Sequence, residues 1–498
     1  MLFEVISIAF SQIFTSLGMA LLLFGIVIGL TMGIIPGLGA MATIALILPF
    51  TYGWEKLDAF LLFSAIFGST TVGGSVTAIL LNTPGTPENI ATTLDGYPMA
   101  RKGKAAEAIA TAAFSSMCGG LISLAVFIAT IPLLRSISLM FGPPEIFWLG
   151  FFALVIISAV TKGSFLGSLI IGCFALILSF HGLNPITGTP RFVHGFIYLY
   201  DGFQLIPVLL GTFAVSEMIK LSLERESIAY EVVKVEGSIK KGIKNVLKNR
   251  YLFLRSLVIG YIIGAIPGIG GTVANYLAYA QAVQTSKNPE TFGKGDPRGI
   301  VAPETANNAK DVGQLVPTLS LGIPGSGTMA VLLGAFILHG IQPGPFIIRD
   351  NLDVVAMIAV TLVFAFSLSC LFVMFLGQYL ARLTTIDVYR IVPIVLVICF
   401  IAVYYIRYEI LDIFVTLLFG MIGYILVRIN VSRILLVLPI IIGPIIERNF
   451  ILSLSICRGD YTYFFGPISI FLILIMVATI IYPFIKRKYK LKKMSWGD

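Results

Sequence analysis

The chain has 498 residues, of which 57% are hydrophobic and only 12% are charged. Soluble domains carry about 25% charged residues, so this composition excludes a soluble globular protein. The formal net charge of +9 does not indicate nucleic-acid binding, because the basic residues concentrate in 220–250 and 486–493 without the interleaving of aromatic and basic residues that serves to stack bases. The five cysteines have no CxxC spacing and predict neither a metal site nor a disulfide framework.

Long apolar runs follow one another along the chain, among them 147–160, 166–180 and 354–380. Several approach the roughly 20 residues that cross a bilayer as a helix. The runs are continuous rather than alternating, which is typical of membrane helices and not of barrel strands. Segment 1–14 lacks a basic region and a cleavage site, so we expect it to be the first structural helix and not a signal peptide.

Three short motifs occur twice, in the same order and at nearly the same separation. The matched prolines are Pro36 and Pro267, 231 residues apart, Pro84 and Pro324, 240 apart, and Pro207 and Pro439, 232 apart. Such regular recurrence predicts an internal duplication. We therefore divide the chain into four parts. They are a first transmembrane repeat (1–220), a cytoplasmic linker (221–250), a second transmembrane repeat (251–450), and an extra C-terminal helix with a basic tail (451–498).

The distribution of basic residues predicts the topology. The linker and the C-terminal tail are both basic and are expected on the cytoplasmic side, whereas no Lys or Arg precedes Lys56. Without the extra C-terminal helix, the first copy runs from outside to cytoplasm and the second runs from cytoplasm to outside. The predicted fold is thus an all-α polytopic transmembrane helix bundle of two inverted halves with Pro-Gly-broken or re-entrant helices, as in many secondary transporters.

The Pro-Gly elements predict helix breaks at membrane depth, because proline deletes a helical hydrogen bond and glycine weakens the helix further. Freed N–H groups at a half-helix N-terminus suit a carboxylate, and freed carbonyl groups suit a cation. The alternative is two hinge kinks and two surface loops. The predicted substrate-binding residues are Pro36, Gly37, Gly39, Asn82, Thr83, Pro84, Gly85, Thr86, Pro267, Gly268, Gly270, Asn307, Asn308, Pro324, Gly325 and Ser326.

Polar side chains accompany these breaks. Segment 302–310 is rich in hydrogen-bonding groups, and within it Glu304 is a candidate for binding a coupling proton or sodium ion. Asn307 and Asn308 could bind carboxylates or cap a helix, although a solvated loop is the alternative. Hydroxyl and amide residues nearby could bind ions or could simply pack helices together. They are Ser69, Thr70, Thr71, Ser75 and Thr77 in the first half and Thr272, Asn275, Thr318, Ser320 and Thr328 in the second.

Several motifs resemble the large membrane subunit of the tripartite tricarboxylate transporters, the TctA family, over nearly the whole chain. They are 80–87 (LLNTPGTP), 94–103 (LDGYPMARKG), 142–145 (GPPE), 187–192 (TGTPRF), 295–299 (GDPRG), 302–309 (APETANNA), 321–325 (LGIPG) and 443–447 (GPIIE). Thr305 replaces the serine commoner in that family and retains its hydroxyl group. The resemblance implies an inner-membrane permease for citrate-like carboxylates, driven by an ion gradient. It also implies a small membrane subunit and an extracytoplasmic solute-binding protein as partners.

The predicted function is therefore secondary transport of di- and tricarboxylates by alternating access. The breaks would converge near the midplane, with sodium or protons as the coupling ion and no cofactor, metal or catalytic residue. A channel is one alternative. An intramembrane aspartyl protease using Asp296 and Asp201 is another, but Asp296 lies in a strongly polar stretch and neither aspartate belongs to a repeated motif. No GxxxxGK[ST] motif for ATP binding occurs.

Overall fold

The protein is described here from a computed structural model, which covers residues 2–35, 37–161, 164–184, 187–224, 235–268, 271–380 and 388–494. This part of the chain is helical almost throughout. Its one short hairpin pairs β1 (Gly182–Leu183) with β2 (Pro190–Arg191) in antiparallel register, with Gly182 opposite Arg191. The predicted all-α class is confirmed.

Among the helices up to residue 224, two pairs of successive helices are joined by a π-helical turn. Residues 100–104 connect α5 to α6, and residues 210–215 connect α9 to α10. The α-helices are α1 (Leu2–Ile13), α2 (Ser16–Ile34), α3 (Ala40–Ile47), α4 (Lys56–Leu81), α5 (Ile90–Met99), α6 (Ala105–Ser138), α7 (Pro143–Val160), α8 (Phe165–Ser179), α9 (Leu205–Leu209) and α10 (Ser216–Glu224).

The helices after residue 234 begin with an amphipathic one that lies on α6, where the Asn245 amide donates to Glu107 Oε1 at 2.9 Å. The predicted linker thus includes a packed helix. The α-helices are α11 (Ile239–Lys248), α12 (Arg250–Gly264), α13 (Gly271–Gln284), α14 (Arg298–Leu321), α15 (Gly327–Leu338), α16 (Phe346–Asp350), α17 (Leu352–Leu380), α18 (Val388–Arg407), α19 (Leu411–Arg428), α20 (Ile434–Cys457) and α21 (Pro467–Met494).

Within the described residues, eight helical segments are long and apolar enough to cross a membrane. Large apolar side chains such as Phe174, Phe414 and Phe471 point outward from the bundle, as lipid-facing residues do. This confirms the prediction of a multi-pass membrane protein. The segments are Ser16–Ile34, Lys56–Leu81, Pro87–Ser138, Pro143–Val160, Leu205–Leu223, Leu352–Gly377, Leu411–Arg428 and Ile434–Cys457.

Helix α14 is as long as these segments but is polar, and it is buried at the centre of the bundle. It carries Glu304, Lys310 and Asp311, all of which are at most 2% exposed. Close packing against α6 and α12 requires glycine: a Cβ on Gly119 would lie 2.5 Å from the Thr305 carbonyl oxygen. The solvated-loop alternative for segment 302–310 is therefore wrong, because this segment is a helix enclosed by other helices.

Equivalent helix pairs have equivalent contacts in the two halves. A Cβ on Gly33 of α2 would lie 2.0 Å from the carbonyl oxygen of Thr70 in α4. At the motif offsets, a Cβ on Gly264 of α12 would lie 2.3 Å from the carbonyl oxygen of Lys310 in α14. Both helix pairs thus approach backbone to backbone at matched glycines.

The backbone conformation at the helix breaks also recurs. Asn82, which ends α4, has φ 56°, and Gly322, which ends α14 at the same repeat position, has φ 70°. Gly37 and Gly268, which follow α2 and α12, have φ 89° and 79°. The recurring conformations are the left-handed ones that interrupt a helix. Matched local geometry accompanies the sequence repetition, while the domain boundaries and the inverted orientation stay predictions.

Candidate functional site

The first two breaks contact each other. The chain leaves α2 after Ile34, and Gly39 precedes the first residue of α3. A Cβ on Gly39 would lie 3.4 Å from the Thr86 methyl group, and a Cβ on Gly85 would lie 2.1 Å from the Gly33 carbonyl oxygen. Buried Gly85 and Thr86 thus lie against the end of α2. The predicted residues Thr83 and Pro84 are half-buried, Asn82 is exposed, and Pro36 lies outside the described residues.

The other two breaks join this assembly from the second half. A Cβ on Gly271, the first residue of α13, would lie 2.8 Å from Cγ of Glu88. A Cβ on Gly327, the first residue of α15, would lie 2.3 Å from the sulfur of Met41 in α3. Contacts therefore link all four breaks through their neighbouring residues.

The remaining predicted break residues lie on the same two turns. Pro267 and Gly268 are half-buried, and Gly270 lies outside the described residues. Pro324 and Gly325 are buried, and Ser326 Oγ caps α15 by accepting from the Met329 N–H at 3.4 Å. Neither pair is a surface loop.

The Glu304 carboxylate, in the second turn of α14, is fully buried and accepts hydrogen bonds only from neutral groups. Ser75 Oγ donates to it at 2.8 Å and 2.9 Å, Thr92 Oγ1 at 2.5 Å and Ser116 Oγ at 2.7 Å. The Asn89 amide is 3.5 Å from Oε1. Helices α4, α5 and α6 and the turn before α5 supply these donors.

This arrangement leaves the charge of Glu304 without a cationic partner in the described part of the chain. A buried carboxylate is costly unless a cation pairs with it or a proton neutralises it. The oxygens of Glu304, Ser75, Thr92 and Ser116 come together from four helices. Oxygen donors are the ligands that hard cations prefer, so the cluster can hold a proton or a small hard cation.

A second polar cluster lies two turns further along α14. Lys310 is 1% exposed and is the only buried Lys or Arg in the described residues. Its ammonium group lies 2.6 Å from Asp311 Oδ1 and 2.9 Å from Glu88 Oε1. Thr71 Oγ1 donates to Asp311 Oδ2 at 3.1 Å. The cluster contains one cation and two carboxylates.

Asn307 and Asn308 lie between these clusters. They are fully buried, and neither the amide nitrogen nor the carbonyl oxygen of either side chain has a hydrogen-bond partner. The predicted helix-capping role does not apply, because both residues lie in the middle of α14. Both residues lie three or four positions from Glu304 and from Asp311, so they are on the helical face that carries these two carboxylates. Unpaired buried amides call for a specific explanation, and a polar ligand would supply one.

Two of the family-like motifs meet at Asp95. Its Oδ1 accepts from the N–H groups of Gly295 and Asp296, both at 2.8 Å, and its Oδ2 accepts from the Tyr279 hydroxyl at 2.9 Å. Asp95 is fully buried and holds the loop that leads into α14. The role of these motifs is therefore to fix the start of α14 against α5.

We expect Asp95→Ala to lower the free energy of unfolding by about 3 kcal/mol, since three donors lose their acceptor in a buried place. Tyr279→Phe removes only one of the three bonds and should cost about 1 kcal/mol. Thermal unfolding of the detergent-purified protein measures both. Equal melting temperatures for Asp95→Ala and the parent protein would contradict this structural role.

Two other family-like motifs meet at an ion pair. Arg191 donates to both oxygens of Glu447, at 2.6 Å and 3.0 Å. Asn184 Nδ2 donates to Glu447 Oε1 at 3.1 Å. The pair lines a cavity of about 330 Å³ beside the β-hairpin, together with His181 and Asp201. A bidentate pair of this kind ties the hairpin to α20.

The two aspartates of the protease alternative each pair with a different arginine. Arg298 pairs with Asp296 at 2.6 Å, and Arg407 pairs with Asp201 at 2.7 Å. Burial alone would raise the pKa of Asp296, but hydrogen bonds from Arg298 and Thr291 hold that pKa below its usual range. This is not the arrangement of two carboxylates that share a proton.

Sequence reasoning identified Glu304, Ser75 and Thr71 but missed several partners in these clusters. Lys310 is the last residue of the polar segment 302–310 but received no role of its own, and Asp311 follows it directly; the spacing of both from Glu304 on a helix was a usable signal. The missed partners are Glu88, Asn89, Thr92, Ser116, Lys310 and Asp311.

The fold and site together define a polytopic membrane protein whose bundle encloses charged and amide side chains, which is the usual mark of a solute or ion pathway. The family model described as "Tripartite tricarboxylate transporter TctA family" matches residues 19–438. The chain therefore belongs to the TctA family, and it is a membrane component of that transporter type. Other subunits belong to such systems, as the word tripartite states.

Two curated relatives come from Agrobacterium vitis. "Uncharacterized 52.8 kDa protein in TAR-I ttuC' 3'region" is 32% identical over 478 residues, which is 96% of this chain and 95% of the relative. "Uncharacterized protein in TAR-II ttuC' 3'region" is 32% identical over 234 residues, which is 46% of this chain and 96% of the relative. No solved structure matches the chain significantly.

Proposed function

We propose that this chain is the permease of an ion-driven secondary transporter that imports di- and tricarboxylates such as citrate across the cytoplasmic membrane. The observation that carries this proposal is the fully buried polar face of α14, with Glu304, two unpaired amides and Lys310 beside four linked helix breaks. Charged and amide groups inside a membrane bundle are costly, and they usually mark the path of a solute or an ion.

Glu304 is the proposed coupling residue. Its carboxylate accepts hydrogen bonds from the hydroxyl groups of Ser75, Thr92 and Ser116 and has no cation beside it in the described residues. Binding of a proton or a sodium ion would neutralise this buried charge. The energy of the ion gradient would then be used to load the site from the outside.

Alternating access between two inverted copies is the proposed mechanism. Thr71 and Asp311 occupy equivalent positions at the offset of 240 residues, and they are hydrogen-bonded to each other. Residues at equivalent positions contact each other where a two-fold axis relating the copies passes between them. The Ser75–Glu304 contact links the same two helices, α4 and α14. These contacts support an axis that passes between α4 and α14, so that motion of one half against the other would open the site to alternate sides.

The partners follow from the family description. A small membrane subunit and an extracytoplasmic solute-binding protein are the other components that we propose for a tripartite system. The binding protein would deliver the carboxylate to the outer side of the bundle. The cytoplasmic linker and tail, rich in Lys and Arg, would lie on the opposite side.

Uptake of labelled citrate into liposomes with the purified chain tests this function, with and without an inward sodium or proton gradient. We expect accumulation that depends on one of these gradients, either with the chain alone or after adding the two partner subunits. A panel of plain and hydroxylated di- and tricarboxylates defines the substrate. Absence of uptake across this panel with all three subunits present would contradict the proposal, and single-channel conductance would favour a channel instead.

A further inference from the structure

The Lys310 ammonium group pairs with two carboxylates that differ in their exposure to solvent. Asp311 is its neighbour in the chain, is 2% exposed and receives a second hydrogen bond from Thr71. Glu88 comes from the turn after the second break, and its side chain is 26% exposed. Asp311 is thus fixed on α14 and neutralises the buried ammonium permanently. Glu88 is the more exposed of the two partners.

The position that the Glu88 carboxylate occupies is built for an anion. Lys310 Nζ lies 2.9 Å from its Oε1, and Thr86 Oγ1, whose hydrogen is shared with Asn89 Oδ1 at 2.6 Å, lies 3.2 Å from its Oε2. The first turn of α13 lies alongside, because a Cβ on Gly271 would be 2.8 Å from Glu88 Cγ. Helix N-termini favour negative charge, so an ammonium, a hydroxyl and a helix N-terminus converge here.

A buried amide whose oxygen is unpaired lies beside this position. Asn275 of α13 is 1% exposed, and its Nδ2 donates to the Glu88 backbone carbonyl at 2.7 Å. Its Oδ1 has no hydrogen-bond partner. Asn307 lies one helical turn before Lys310 and has both amide atoms unpaired as well. Polar groups that the protein itself does not satisfy therefore lie on the residue that contacts the Glu88 backbone and one helical turn from Lys310, as expected where a larger polar molecule binds.

We propose that Glu88 is a tethered carboxylate that occupies the substrate-carboxylate site, and that a carboxylate of the transported anion displaces it and pairs with Lys310. This inference rests on the proposed function and assigns the residue that recognises the substrate. The hydroxyl and carboxyl groups of a citrate-like anion would then meet the amides of Asn275 and Asn307.

The exchange keeps the electrostatics of the site constant. Lys310 has two carboxylates beside it whether Glu88 or the substrate is bound, so no step leaves a buried ammonium with too little compensation. Release of Glu88 also frees the turn that joins α4 to α5. That turn contacts α13 of the other half through Gly271 and Asn275. Substrate binding thereby weakens one contact between the two halves, which is the change that a moving transporter needs.

Titration calorimetry of citrate binding to the purified full-length chain, in saturating sodium at fixed pH, tests the exchange. We expect Glu88→Gln to lower the Kd for citrate by about tenfold. In the parent chain Glu88 competes for the site, so the apparent Kd is the intrinsic Kd divided by the fraction of molecules in which the site is free. Glutamine retains the shape of the side chain and cannot compete as an anion. Glu55→Gln, at an exposed position before α4, is the matched control and should leave the Kd unchanged.

The double variant Lys310→Met/Asp311→Asn removes the ammonium and its permanent partner together, so neither charge is left buried alone. We expect it to lose citrate binding. Citrate binding by this variant as tight as that of Glu88→Gln would overturn the proposal. So would a Kd for Glu88→Gln equal to or higher than that of the parent chain, and this measurement stands even if the double variant does not fold.

The same titrations separate the two hypotheses. If the parent chain binds citrate and Glu88→Gln binds it no better, the tethered-carboxylate exchange fails while carboxylate transport stands. Tighter binding by Glu88→Gln supports the exchange, including the case in which the parent chain binds too weakly to measure. No binding to either protein would overturn this assignment, and the uptake panel with all subunits would then decide the transport function separately.

Discussion

Replacing Glu304 with glutamine is expected to abolish gradient-driven accumulation, with a fall of about 100-fold in the initial rate of uptake. An amide can neither take up a proton nor present a negative charge to sodium. Loss of a charged hydrogen-bonding group in a buried site is worth up to about 3 kcal/mol, which corresponds to this factor. Uptake of labelled carboxylate into liposomes under an inward ion gradient measures the effect.

Exchange of substrate across the membrane without a gradient separates coupling from structure. If Glu304 serves only to couple the ion, Glu304→Gln should retain counterflow of labelled against unlabelled substrate while losing accumulation. Glu304→Asp keeps the charge and should retain part of the accumulation. Glu290→Gln, in the exposed turn before α14, is the control. Accumulation by Glu304→Gln at the rate of the control would rule out the coupling role.

The second large effect is expected at the matched glycines, where Gly33→Ala and Gly264→Ala should each lower the free energy of unfolding by about 2 kcal/mol. The new methyl group would lie 2.0 Å from a carbonyl oxygen at Gly33 and 2.3 Å from one at Gly264. These atoms belong to helix backbone and cannot rotate away, so the helix pairs must separate. Thermal or detergent-induced unfolding of the purified variants measures the loss.

Gly377→Ala is the matched control in another helix, since its Cβ would be 3.6 Å from the nearest side-chain atom. This substitution should leave stability unchanged or raise it slightly, because alanine has the higher helix propensity. Similar losses at residues 33 and 264 would agree with two copies packed in the same manner. A loss at only one of the two positions would indicate that the copies have diverged in their packing.

The helix bundle and its helix breaks could be predicted from the sequence because they depend on local features. Continuous apolar runs predict membrane helices, and a Pro-Gly pair interrupts a helix wherever it stands. The recurrence of φ values at Gly37 and Gly268 follows from the repeated motifs. The predicted residues Pro36 and Gly270 belong to the same motifs but lie outside the described residues.

Helix α14 was harder to predict because its composition is that of a solvated segment. Hydropathy is averaged over a window of residues. A buried helix that is rich in polar side chains therefore lacks the high hydropathy by which membrane helices are recognised. The informative feature was instead the spacing of Glu304, Asn308 and Asp311 by four and three residues, which places them on one helical face. The composition of the run predicts a functional segment but does not distinguish a buried helix from a solvated loop.

The partners of these groups could not be derived from a single sequence. Glu304 meets Ser75, Thr92 and Ser116, which are separated from it by about 190 to 230 residues in the chain. Serine and threonine are frequent in membrane helices for packing reasons, so their presence alone carries little information. Only the tertiary arrangement distinguishes Ser116, which donates to the carboxylate, from Ser115, which has no partner.

The position of α14 in the chain has a consequence for how the protein is made. A helix with this many charged and amide groups gains little from entering lipid on its own, because each group would lack a partner there. The groups that satisfy Glu304 lie in residues 75–116, and the partners of Asp311 and Lys310 include Thr71 and Glu88. Synthesis proceeds from the N-terminus, so these partners exist before α14 leaves the ribosome. The first half thus provides the polar surface onto which the least hydrophobic helix of the second half inserts.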